Sequence, residues 1–139
     1  IRDRPECRSS ESGDDAVFEN TSGSEIVITV DADLGGLPQP AFLKIGSSPD
    51  VVKDSLSPVR FVGSGTLRQF MKEASFYVHT DGKVIFDDRV AADFVTISSD
   101  AAYTNRLIEV RGNARLKVRY IGMLHSSDTL RIARTASLT

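Results

Sequence analysis

The feature that most constrains this chain is a recurrence of short β-branched runs, each cut off by a turn signal. Glu25–Asp31 (EIVITVD) is the strongest of them. Ile26, Val27, Ile28 and Val30 make it apolar on both faces, as a central strand requires. The cluster Asn20-Thr21-Ser22-Gly23-Ser24 precedes it, and Asp33–Pro40, with two glycines and two prolines, follows as a loop that no helix crosses. Further runs stand at Ala41–Ile45, Val59–Val62, Ser75–His79, Lys83–Asp87, Phe94–Ile97, Arg106–Arg111, Ala114–Ile121 and Thr129–Ile132. Val, Ile and Thr make up 31 of the 139 residues, which favours strands throughout. One helical pattern interrupts the series. In Thr66–Ala74, Leu67, Phe70, Met71 and Ala74 fall at i, i+3, i+4 and i+7, so a short helix is predicted near 66–74.

Turn chemistry predicts antiparallel neighbours. Asp81-Gly82 joins Ser75–His79 to Lys83–Asp87 as a hairpin. Gly112-Asn113 joins Arg106–Arg111 to Ala114–Ile121. A three-residue loop there sets Val110 against Leu116 and Glu109 against Lys117, with Gly112 or Asn113 at positive φ. The predicted fold is therefore all-β: an antiparallel, jelly-roll-like β-sandwich of eight or nine short strands. It forms one domain over residues 16–139, preceded by an extended polar arm, residues 1–15. No convincing internal repeat is legible; SEIVITVDAD and ADFVTISSDA share only the look of a strand running into an acidic turn.

Candidates for chemistry are sparse. Cys7 is the single cysteine, so the chain holds no internal disulfide and no cysteine-based zinc site. His125-Ser126-Ser127-Asp128 contains the residue types of a catalytic triad, but triads are assembled from distant segments. Asp31 and Asp33 are spaced like the opening of an acidic calcium loop, without its third acidic ligand or distal Glu. No catalytic residue, metal or cofactor is expected. Asn20-Thr21-Ser22 is a glycosylation sequon.

Charge is distributed unevenly. Residues 1–100 hold 10 basic and 17 acidic side chains; residues 101–139 hold seven basic and two acidic. Arg115, Lys117 and Arg119 alternate along one predicted strand and share a face. A formal net charge of −2 argues against a general nucleic-acid binder, and no apolar run is long enough for a membrane span. These features predict a non-enzymatic structural subunit of an extracellular, cell-surface or virion assembly: a pilus or surface filament, a capsid or a phage-tail component. Its partner is itself, through the basic stripe, acidic residues including Asp14 and Asp15, and the arm carrying Cys7. The alternative is a module that binds a glycan, another anionic polymer or a host surface; a small hydrolase is a third reading. The start at Ile1 rather than Met points to a processed N-terminus.

Overall fold

The computed structural model describes residues 16–32, 42–45, 56–68, 75–78, 82–98, 106–122 and 127–139. They form twelve strands: β1 (Ala16–Phe18), β2 (Ile26–Val30), β3 (Phe42–Ile45), β4 (Val59–Gly63), β5 (Thr66–Arg68), β6 (Ser75–Val78), β7 (Lys83–Phe86), β8 (Ala91–Ser98), β9 (Leu107–Val110), β10 (Arg115–Ile121), β11 (Thr129–Ile132) and β12 (Ser137–Leu138). Strands β1, β3, β6, β8, β10 and β12 run side by side in one sheet, with β5 also on β8. The other sheet has the order β11-β9-β7-β4-β2.

The all-β prediction holds, but the pairing does not. Every ladder among the described residues is parallel, so the chain is not an antiparallel jelly roll. It winds as a two-sheeted β-solenoid. Each coil runs along the second sheet, turns a corner, runs along the first and returns. Val59 pairs with Val84, Val84 with Ile108, and Ile108 with Leu130, at steps of 25, 24 and 22 residues. The alternation of apolar and polar residues is the same for any strand with one buried face, so it identifies strands without revealing their direction.

The corner explains the mistaken hairpins. Val90 N–H donates to Asp87 O, Ala114 N–H to Arg111 O and Ala136 N–H to Ala133 O, at 3.2, 3.1 and 3.0 Å. Each bond closes a four-residue turn between the two sheets. Gly112 does adopt positive φ, 62°, and Asp88 occupies the same place one coil earlier at 57°. The turn was legible, but what it joins was not. Strand β10 pairs with β8 and β12, so Lys117 lies beside Asp93, while Glu109 lies beside Arg131. Likewise β6 and β7 belong to different sheets. The helix expected at 66–74 is a strand at Thr66–Arg68, held in register with Ala91–Asp93; residues 69–74 lie outside the described set.

Inward-facing residues stack in columns along the axis. Phe61, Phe86 and Val110 form one, all 2% exposed or less, and Ala92 and Leu116 belong to another. The rings of Phe61 and Phe86 stack at 5.7 Å, Phe18 meets Phe61 edge-on at 5.9 Å, and Phe94 meets Phe86 at 6.0 Å. Among the apolar positions of the β-branched runs, Val30, Phe61, Ile108, Val110 and Leu116 are buried, and Ile26, Ile28 and Val118 pack against them. The side chains of Phe42, Phe76 and Val78 are outside the described set.

Gly65 sets how closely the first two corners approach. A Cβ there would lie 2.4 Å from Ala32 O and 2.8 Å from Val30 O, both backbone atoms that cannot swing aside. Gly65→Ala is expected to destabilise the fold by about 1–3 kcal/mol, read as a lower urea midpoint with an unchanged slope.

Candidate functional site

The outer face of the second sheet carries alternating charges. Glu25 precedes β2, and its Oε1 accepts from Arg60 Nε at 2.5 Å. Arg60 Nη1 reaches Asp87 Oδ2 at 3.1 Å, and Arg111 Nε donates to the same oxygen at 2.9 Å. Arg111 Nη1 lies 3.7 Å from Glu109 Oε1, and Arg131 Nη1 lies 3.3 Å from Glu109 Oε2. The parallel register produces this ladder, because Arg60, Ile85, Glu109 and Arg131 fall in one row. Arg60 is held charged even above its ordinary range, chiefly by its hydrogen bond to Glu25.

Asp87 sits at the centre of the ladder. Partial burial pulls its pKa up, but the Asp88 N–H, Arg111 and Arg60 together pull it further down, below the usual 3.8. A depressed folded-state pKa adds stability above the unfolded value and loses it as pH falls through the folded one. Stability is therefore expected to be flat above about pH 5 and to fall below about pH 4. Asp87→Asn should flatten that acid limb in urea melts recorded from pH 6 to pH 3.

Asp128 is committed elsewhere. It directly precedes β11, as Arg106 directly precedes β9. Arg106 Nη2 lies 2.6 Å from Asp128 Oδ2, with the two side chains 1% and 0% exposed. Arg106 N–H donates to Asp128 Oδ1 at 3.0 Å. The carboxylate in the triad-like run thus bridges two coils inside the wall; His125 and Ser126 lie outside the described residues.

Asn20 does not suit the role of glycan acceptor. It is 4% exposed, and its Nδ2 donates to Ser24 O at 2.8 Å and Pro58 O at 2.9 Å. Its Oδ1 accepts from Ser22 N–H and Ser22 Oγ. A glycan would displace one of those donors. The side chain closes an Asx-type turn in the first coil and ties it to the second.

The basic stripe is where the alternation predicted it. Arg115, Lys117 and Arg119 are exposed on the outer face of β10, spaced about 6.6 Å apart along the strand. Unlike Arg60, Arg111 and Arg131, none of the three joins an ion pair among the described residues. An open groove of about 300 Å³ runs beside them, lined by Asp93, Phe94, Lys117, Val118, Arg119 and Thr139. Asp31 is exposed at the end of β2. Asp33, Asp14, Asp15 and Cys7 lie outside the described residues. Among those described, no group of three or more His, Cys, Asp or Glu could hold a metal ion, and no helix is long and apolar enough to cross a membrane.

Sequence reasoning placed the strand Thr129–Ile132 but missed β12 and the exposure of the apolar residues there. In the columns that are sealed at Val110 and Leu116, the next residues, Ile132 and Leu138, are 37% and 38% exposed. Beyond β11 and β12 no further strand pairs among the described residues. No protein-family model, curated protein or solved structure matches this chain.

Proposed function

We propose that the chain is a non-enzymatic structural subunit that associates with copies of itself, of the kind that builds surface filaments, capsids or phage tails. One observation carries this reading: Ile132 and Leu138 are exposed on β11 and β12, whose outer edges pair with no other strand among the described residues. Exposed apolar side chains beside a strand edge suit the addition of another strand. The test is sedimentation of the 139-residue chain across a concentration series. A mass rising above 15.1 kDa supports the reading; a monomer at high concentration and low salt overturns it.

A second reading is favoured by the unpaired basic stripe. Three exposed cations on one strand, beside a groove lined among the described residues by Asp93 and Thr139, form a surface suited to an anionic glycan. Retention on an immobilised sulfated polysaccharide, lost in a variant with Arg115, Lys117 and Arg119 all replaced by Ser, supports it. Equal retention of the two proteins counts against it.

A further inference from the structure

Strand β10 carries its exposed cations on a sheet face, not at a sheet edge. Over Arg115–Val118 it pairs with β8 on one side and with Ser137, Leu138 and Thr139 on the other. Thr139 N–H donates to Leu116 O at 2.9 Å, and Val118 N–H donates to Thr139 O at 3.0 Å. Arg89 extends the patch: it is exposed in the corner turn, two residues before Ala91, the ladder neighbour of Arg115. Like Arg115, Lys117 and Arg119, it joins no ion pair among the described residues. Past Val118 the strand departs from simple alternation. Phe94 and Ile97 both lie in the core, three residues apart, so the inward side shifts by one position between them. Strand β10 follows in register, with Val118 beside Phe94 and Ile121 beside Ile97. Tyr120, which unbroken alternation with Leu116 and Val118 would bury, is 62% exposed, directly after the exposed Arg119.

We infer that an anionic polysaccharide lies lengthwise on the outer face of β10, with its charged groups on Arg115, Lys117 and Arg119 and one sugar ring against Tyr120. This deepens the second reading above and rests on it. Arg115 to Arg119 spans roughly 13 Å, too far for one small anion to bridge and suited to a polymer with repeated charges. Two of the three cations are Arg, whose planar fork holds a sulfate or carboxylate through two parallel hydrogen bonds. The groove beside Lys117 and Arg119 gives the chain a shallow bed. Charge alone does not choose among polyanions, but Tyr120 does. The C–H face of a pyranose ring lies flat on an aromatic ring, whose face carries partial negative charge. A polyanion without rings gains nothing there. A single-stranded nucleic acid calls for aromatic platforms under successive bases. The aromatic residue that lines the groove, Phe94, is turned into the core, which leaves one platform only. The formal net charge of −2 also disfavours nucleic acid.

The test measures binding of the 139-residue chain to dextran sulfate, to polyphosphate and to oligo(dT) at low salt. Replacing Arg115, Lys117 and Arg119 together by Ser should abolish binding to dextran sulfate and polyphosphate alike. Tyr120→Ser should weaken dextran sulfate binding about tenfold and leave polyphosphate binding unchanged. Tyr120→Phe, which keeps the ring, should bind as the wild type does. Arg131→Ser, which removes an exposed cation from the other sheet, should change neither affinity. If Tyr120→Ser binds dextran sulfate as tightly as the wild type while the triple variant does not bind, the inference is wrong and the second reading stands. Loss of binding in Arg131→Ser means diffuse charge attraction rather than a site, and overturns the inference too. Oligo(dT) binding tighter than dextran sulfate binding would mark the face as a nucleic-acid interface and overturn it as well. A wild type that binds no dextran sulfate removes both the inference and the second reading.

Discussion

Asp128→Ala is expected to lower stability by about 3–5 kcal/mol, one of the two largest single effects in the molecule. The substitution leaves the Arg106 guanidinium buried without its carboxylate, and it deletes the acceptor for the Arg106 N–H. Desolvation of a buried charge that has lost this carboxylate, rather than the Coulomb energy of the pair, accounts for the size of the loss. The double variant Arg106→Met with Asp128→Leu removes both charges and fills similar volume, so it should recover most of the stability. Urea midpoints for the wild type, the single and the double variant decide the point. A single variant within about 1 kcal/mol of wild type would mean that the pair does not anchor the two coils.

The second large effect is expected at Phe86. Its side chain is fully buried, it stacks on Phe61 and it touches Phe94. Phe86→Ala should cost about 3–5 kcal/mol. Ile28→Ala, at a partly buried position of the first coil, should fall toward the low end of the 2–5 kcal/mol range for such truncations. Leu138→Ala should cost roughly 1 kcal/mol or less in the isolated chain, because over a third of that residue already meets water. Equal losses at Phe86 and Leu138 would contradict the burial gradient along the axis.

Much of the fold was legible in the sequence, and the part that was not has an identifiable cause. Strand positions followed from β-branched runs, and the positive φ at Gly112 followed from the turn chemistry. The coil went unseen because its repeat is short and unevenly spaced. Aligned by the ladders, Val59–Leu67, Val84–Ala92, Ile108–Leu116 and Leu130–Leu138 share one nine-residue pattern. Its first and third residues point inward on one sheet, a four-residue corner follows, and the ninth points inward on the other. The connections between these units differ in length, so no fixed period emerges. A search for the nine-residue unit itself, allowing variable gaps, would have found it. The basic stripe was legible because alternation along one strand fixes a face. The buried Arg106–Asp128 pair was not, because two residues 22 apart become neighbours only once the coil is known.

The stacked columns also bear on how the molecule comes apart. Each coil touches mainly the coil before it and the coil after it, so cohesion is a chain of nearest-neighbour couplings. The middle coils, around Val84 and Ile108, have sealed neighbours on both sides, while β11 and β12 have them on one. Opening should therefore begin at the edge strands of the described sheets and travel inward, and amide exchange should be slowest at β7 and β9 and faster toward β2 and β11. Refolding is expected to run the other way, with a pair of central coils as the seed and each later coil templated on an edge already in place.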